Sequence, residues 1–267
     1  MTDPFAITGP AIINVSGGRT SALMLRRILD AHGGALPADV HAVFANTSRE
    51  LPETLDFVRD CDDRWGVRIH WIERTGHNKF REVDHTTAAR AGEPFDALIR
   101  EKQFLPNAVM RFCTQELKIR TVRAFMRSLG YEHWTSVLGL RFDEPRRVAN
   151  VRAHAPDEWD VACPLYDARV TRDDVHAFWR AQPFDLSLRP WESNCDGCYL
   201  KSSATLERVE RDRPGTLDWW IAWETRNDAR FDKSRTFAHL RARARLPVLP
   251  GILDSSPDDS IPCHCTD

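Results

Sequence analysis

The sequence predicts an α/β fold, a Rossmann-like doubly wound parallel sheet with an appended, mainly helical C-terminal region. Three observations carry that prediction. The apolar run Ala11-Ile12-Ile13-Asn14-Val15 is short enough for a buried strand, and a glycine-rich turn, Ser16-Gly17-Gly18-Arg19-Thr20-Ser21, follows it directly and opens a helical pattern. Strand and helix patterns then keep alternating, the order that builds a parallel sheet. From Gln182 onward the alternation stops, and Pro183, Pro190, Pro214, Pro247, Pro250, Pro257 and Pro262 punctuate the chain. The expected division is an α/β domain over 1–181 and a cysteine-containing helical region over 182–267 packed on it.

The elements follow in order. Thr20 to Ala31 carries Leu23, Met24, Ile28 and Leu29 near the helical period, and His32-Gly33-Gly34 ends it. Val40 to Ala45 reads as a second buried strand, Leu51 to Trp65 as a helix and Val67 to Ile72 as a third strand. Gly76 to Pro106 has no clean strand pattern; its helical stretch Phe95 to Phe104 reads either as a partly ordered lid over the nucleotide edge or as a solvated surface insertion. Thr114 is a good N-cap for a helix over Leu117 to Leu129, which places Cys113 at a positive helix end between Arg111 and Lys118. Trp134 to Leu140 is a further strand, and Val175, Phe178 and Trp179 read as core. Trp219, Trp220 and Trp223 fall at helical spacing and read as packing rather than base stacking.

The glycine-rich turn is read as a phosphate cradle. Gly17 and Gly18 let the backbone approach phosphate oxygens, Ser16, Thr20 and Ser21 supply hydroxyls, and the helix presents its positive end. The stretch lacks the lysine of a GxxxxGK[ST] loop. A guanidinium fork at a strand end suits a tetrahedral oxyanion, so Arg141 is expected to grip a phosphate or sulfonate. Arg146 and Arg147 read as surface charges.

A formal net charge of −2 argues against a globally basic nucleic-acid binder. No stretch reaches the length of a membrane span and Met1 to Pro10 has no apolar h-region, so a cytoplasmic protein without membrane contact is expected. Its seven cysteines then read as metal ligands or redox groups rather than a disulfide framework. Cys195 and Cys198 form a CxxC, Cys263 and Cys265 a CxC, and Cys61 and Cys163 look incidental.

Five separated words between residues 11 and 201 resemble the PAPS (phosphoadenosine phosphosulfate) reductase-like members of the adenine nucleotide alpha-hydrolase superfamily, the PP-loop ATP pyrophosphatases. Ser16–Ser21 resembles the PP-motif SGGxDS, with Thr20 where Asp is usual. Val43–Thr54 resembles FADTGxExPET, with Asn46 where Asp is usual, which implies that Asn46 and Thr47 lie beside adenine and ribose. Arg111–Arg120 resembles RxCTxxLK, which implies phosphate contacts for Lys118, and Gly139–Arg147 resembles GIRxDExxR. Pro164-Leu165-Tyr166 and Asp173–Arg180, with Val175, Phe178 and Trp179, resemble the close of the nucleotide domain.

The resemblance implies an adenine nucleotide, ATP or PAPS/APS (APS being adenosine phosphosulfate), with magnesium, bound through Ser16, Gly17, Gly18, Arg19, Thr20, Ser21, Asn46, Thr47, Lys118 and Arg141. Cluster-binding relatives pair two adjacent cysteines with a downstream CxxC; here Cys113, Cys195 and Cys198 match and Thr114 takes the fourth place. A [4Fe-4S] cluster on these three, with Cys263, Cys265 or an open corner, is expected; zinc on Cys195, Cys198, Cys263 and Cys265 is the alternative. Three functions stay open, with Cys113, Cys265 and Arg141 as catalytic candidates. They are adenylation-dependent thiolation of a small molecule or nucleic acid, sulfonucleotide reduction by a cysteine nucleophile, and a non-catalytic nucleotide-binding subunit. A sulfur-donor or electron-donor protein and a homodimer are the expected partners.

Overall fold

The computed structural model describes residues 3–247. Its sheet has six strands in the order β4-β3-β2-β1-β5-β6. These are β1 (Ala11–Asn14), β2 (Val40–Ala45), β3 (Ile69–Gly76), β4 (Lys79–Val83), β5 (Trp134–Val137) and β6 (Trp159–Ala162). All neighbours are parallel except β3 and β4, which form an antiparallel hairpin. The expected doubly wound α/β sheet and helical C-terminal region are both present.

The double winding is visible in single residues. Along β1, Ala11 and Ile13 face a core shared with α1 (Arg19–Ala31), α2 (Pro52–Trp65) and α7 (Arg172–Arg180), whereas Ile12 faces a second layer with Phe125 and Met126 of α4 (Arg120–Ser128). In β2, Ala42 and Phe44 face the first layer and Val43 and Ala45 the other, the period-two alternation of a strand covered on both sides. Leu23, Met24, Leu25, Ile28 and Leu29 of α1 are almost fully buried, each stabilising the layer by about 1.5–3 kcal/mol. α7 begins with a capping box in which Thr171 and Asp174 exchange hydrogen bonds.

Two stretches depart from the sequence reading. Within 76–106, Lys79–Val83 forms an edge strand with mostly exposed side chains, and a charged edge needs no apolar pattern. α3 (Glu93–Lys102) is neither lid nor solvated insertion. Phe95, Leu98 and Ile99 are buried in a third core with α8 (Ser203–Asp212), α9 (Asp218–Asn227) and α10 (Phe237–Ala244). Thr114 is not an N-cap either: the helix already starts at Cys113, as a π-helical segment over Cys113–Ile119 that runs into α4. α5 (Pro145–Ala153) and the single turn α6 (Pro164–Asp167) flank β6. Trp220 and Trp223 are buried in the third core and Trp219 packs against it, so the tryptophan triplet is packing.

Candidate functional site

The turn after β1 is held open by its own hydroxyls. Ser21 Oγ donates to the Gly18 carbonyl (3.0 Å), accepts from the Ser16 amide (3.0 Å) and lies 2.9 Å from Ser16 Oγ. Gly17 has φ +86°, and a Cβ there would sit 2.5 Å from Thr54 Cγ2, so only glycine fits. Gly18 caps α1 without a side-chain acceptor, which leaves the first-turn amides available to an anion. Gly139, after β5, approaches the loop so closely that a Cβ would lie 3.0 Å from Ser21 Cα.

Arg141 reaches this turn, with Nη1 3.2 Å from Thr20 Oγ1. It is buried, and its charge is shared with Asp143 (3.1 Å) and Glu144 (3.5 Å). Thr20 thus sits against a guanidinium. Arg19 turns away from the cradle: it pairs with Asp185 (2.7 Å) and donates to the Leu186 carbonyl (2.5 Å).

After β2 the loop is built on buried carboxylates that the sequence reading missed. Asn46 Nδ2 donates to Glu73 (2.6 Å) and to the Ala89 carbonyl (2.8 Å), and its Oδ1 accepts from the Ser48 amide (3.0 Å). Its amide shapes the loop from within. Thr47 gives both its amide (3.0 Å) and its hydroxyl (2.7 Å) to Glu50, and Lys118 Nζ stands 3.9 Å from the same carboxylate.

This loop meets the cysteine knuckle. Glu50 and Cys195 form an isolated antiparallel bridge, the Leu51 amide donates to the Asn194 carbonyl (2.8 Å), and the Asp196 amide donates to Arg49 (2.9 Å). Asn194 Nδ2 in turn donates to the Ser16 carbonyl (2.8 Å). One residue therefore ties the Ser16–Ser21 turn to the CxxC, and nothing in the sequence marks it, because an asparagine before a CxxC has no signature of its own. Arg49 pairs with Asp196 and lies 4.9 Å from the Trp219 ring centroid.

Cys113 Sγ lies 3.3 Å from the Tyr199 hydroxyl, and Cys113, Cys195 and Cys198 all adjoin the third core. The π-helical start that carries Cys113 is a geometry often found at functional sites. Cys61 and Cys163 are incidental: burial pushes the Cys61 thiol far up and the Cys163 thiol up to about 11. Cys263 and Cys265 lie outside the described residues.

Lys201 is the other residue missed, since a lysine reads as solvated. It is buried and its Nζ has no hydrogen-bond partner. Burial pushes its pKa down, while Cys198 and Cys195 act in the opposite sense. An orphaned ammonium in the field of two thiols fits thiolate donors or an anionic thiolate-ligated group. Among the described residues, no group of three or more His, Cys, Asp or Glu side chains is arranged to hold a metal ion. No helix among them is long and apolar enough to cross a membrane.

The chain is 28% identical over 217 residues to an uncharacterized nin region protein of Escherichia phage lambda, covering 76% of this chain and 70% of that protein. It is 21% identical over 224 residues to an uncharacterized protein of Methanocaldococcus jannaschii, covering 82% of this chain and 41% of that protein. Among solved structures, it is similar to the phosphate complex of phosphoadenylyl-sulfate reductase from Candida auris, with TM-score 0.43 and 15% identity, covering 69% of this chain and 82% of that one. It is also similar to the U34-tRNA thiolase NcsA from Methanococcus maripaludis with its [4Fe-4S] cluster, with TM-score 0.44 and 11% identity, covering 92% of this chain and 77% of that one. Residues 10–186 match the phosphoadenosine phosphosulfate reductase domain, and the chain belongs to that family.

Proposed function

We propose that this protein is a nucleotide-dependent sulfur-handling enzyme that binds ATP on the Ser16–Ser21 loop. It activates an oxygen of its acceptor by adenylation, releasing pyrophosphate, and a sulfur nucleophile then displaces AMP. The observation that carries this reading is the hydrogen bond from Asn194 to the Ser16 carbonyl, because it sets the cysteine knuckle against the phosphate loop. Nucleotide and sulfur chemistry would then share one wall.

In this reading the open amides at the start of α1 and the hydroxyls of Ser16 and Ser21 bind the phosphates. Arg141, held by Asp143 and Glu144, positions Thr20 and balances charge at the same turn. Glu50 keeps Thr47 in place beside the nucleoside and Lys118 close to the loop. Cys113, Cys195 and Cys198 are the donors proposed for a [4Fe-4S] cluster, zinc on Cys195, Cys198, Cys263 and Cys265 is the alternative, and the Lys201 ammonium supports the negative charge of either. Such a group, when bound, holds sulfur or stabilises the knuckle.

The test uses the full chain purified without oxygen, assayed for iron, zinc and acid-labile sulfide, then incubated with α-labelled ATP, hydrosulfide and bulk RNA or a small-molecule acceptor pool. AMP and pyrophosphate formed only with acceptor, and lost in Ser21→Ala, are the expected result. Sulfite released from PAPS or APS by a dithiol, without AMP from ATP, would replace this reading with sulfonucleotide reduction. Nucleotide binding with neither product would leave a non-catalytic subunit.

A further inference from the structure

The knuckle and the helix that carries Cys113 meet through a side chain to which the proposed function gives no part. Tyr199 follows Cys198 directly and is buried. Its ring is stacked on Phe231, with centroids 5.8 Å and planes 17° apart, and stands edge-on to Trp220 at 6.4 Å and 67°. Its carbonyl accepts from Arg235 (2.9 Å), so the backbone behind the ring is held as well. Packing therefore fixes where the phenol hydroxyl points, before anything binds.

That hydroxyl lies 3.3 Å from Cys113 Sγ, 86 residues away in the sequence. Cys113 is the less constrained partner. It is half-buried at the first position of the π-helical segment, and its sulfur turns about one bond among three staggered positions. A contact to a fixed hydroxyl selects one of them. A free thiol can donate or accept in this contact, whereas a thiolate bound to a metal carries no proton, so the bond then runs only from the Tyr199 O–H to sulfur. Donors of this kind orient a metal-bound ligand and draw charge from it.

We propose that Tyr199 is a positioning residue for the metal-binding cysteines: its hydroxyl donates to Cys113 Sγ and holds that sulfur beside the CxxC knuckle as a donor. The inference rests on the reading of Cys113, Cys195 and Cys198 as one donor set. It goes further by naming what orients the member that is remote in sequence.

The test titrates the full chain, purified free of metal and oxygen, with cobalt(II), whose sulfur-to-metal charge-transfer absorption reports thiolate donors. The unchanged chain, Tyr199→Phe, Cys113→Ala and the double variant are compared. Tyr199→Phe keeps the stack on Phe231, which near-ultraviolet circular dichroism checks. It should weaken cobalt about tenfold and move the charge-transfer band to longer wavelength, because the sulfur lone pairs lose a hydrogen bond. Cys113→Ala should bind more weakly still and with less charge-transfer intensity, and in that background Tyr199→Phe should change neither affinity nor band. A purely structural role would not give this pattern, since a loosened knuckle weakens cobalt with or without Cys113. Equal binding with and without the hydroxyl, beside a clear loss in Cys113→Ala, would overturn the proposal and leave the donor set standing. Indifference to Cys113→Ala, or no cobalt bound by the unchanged chain, would remove the donor set and the proposal with it.

Discussion

The sheet domain and the helical lobe satisfy the same physical demand in opposite ways. In the sheet, buried backbone groups pair along five strand ladders, and the side chains between them are almost all aliphatic or aromatic. The third core lies outside that sheet, and buried carboxylates take over part of the ladders' role. Glu224 accepts the amides of Phe231 (3.3 Å) and Phe237 (2.7 Å), Glu210 those of Gly215 and Leu217 (both 3.0 Å), and Asp196 the indole of Trp220 (3.0 Å). A core of rings set on ionisable anchors is more sensitive to single changes than a laddered one, because Glu224 and Glu210 each hold two backbone amides at once. The cysteine knuckle sits at the seam between the two.

The largest effect that would separate the regions comes from Trp220→Ala. The ring is almost fully buried between Phe231 and Phe237, and its removal should cost about 3–5 kcal/mol and take one donor from the Asp196 carboxylate. Near-ultraviolet circular dichroism should show the aromatic lobe loosening at a temperature where far-ultraviolet signal and ATP binding persist. A single joint transition would show that the two cores melt as one unit, and the contrast drawn above would fail.

Gly17→Ala tests the other side. With φ +86° and Thr54 Cγ2 in the way, the added methyl should cost about 1–3 kcal/mol, all of it in the sheet domain, and should abolish nucleotide binding measured by calorimetry. Unchanged affinity would mean that the loop is not the phosphate cradle. Asn194→Ala acts between the regions. Losing its bond to Ser16 should cost about 1 kcal/mol, with a clearer signature in thiol labelling: ATP should slow alkylation of Cys195 in the unchanged protein and no longer do so in the variant.

The same contrast explains what could be read from the sequence. The sheet was legible because Ala11–Val15 and Val40–Ala45 are apolar runs between turn signals, and the Ser16–Ser21 stretch was legible as a strand-to-helix turn because its glycines follow an apolar run and open a helical pattern. β4 was not, since Lys79–Val83 lies on the exposed edge and follows no apolar rule. Phe95, Leu98 and Ile99 looked like part of a lid because their partners, Trp219, Trp220 and Phe231, come more than a hundred residues later. The candidate site was legible as words and not as contacts: Arg141 does reach Thr20, yet Arg19 goes to Asp185, and Asn46 is occupied by Glu73 and Ala89. Asn194 acquires its meaning from a long-range neighbour, Ser16, and Lys201 from its burial, and no local pattern encodes either.

The smallest effect sets one carboxylate of each region against the other, because Glu224 and Asp174 are shifted with opposite sign. Burial pushes the Glu224 carboxyl above its ordinary value of 4.5, against the amides of Phe237 and Phe231 that favour the charged form. Folding then takes up protons there, so its contribution to stability is full below 4.5 and fades as pH rises through the raised folded value. Asp174 in the α7 capping box is the reverse: the Thr171 hydroxyl and amide hold it below 3.8, and its contribution is present above 3.8 and lost as pH falls through the lowered folded value. Amide exchange, corrected for its intrinsic rate, should therefore show Phe231 and Phe237 gaining protection as pH falls from 7 toward about 4.5, while the Asp174 amide holds steady and then loses protection below 3.8. Parallel loss in both regions from neutral pH downward would mean that the Glu224 carboxylate holds its two amides more strongly than its burial penalises it, and the helical lobe would then be anchored as firmly as the sheet.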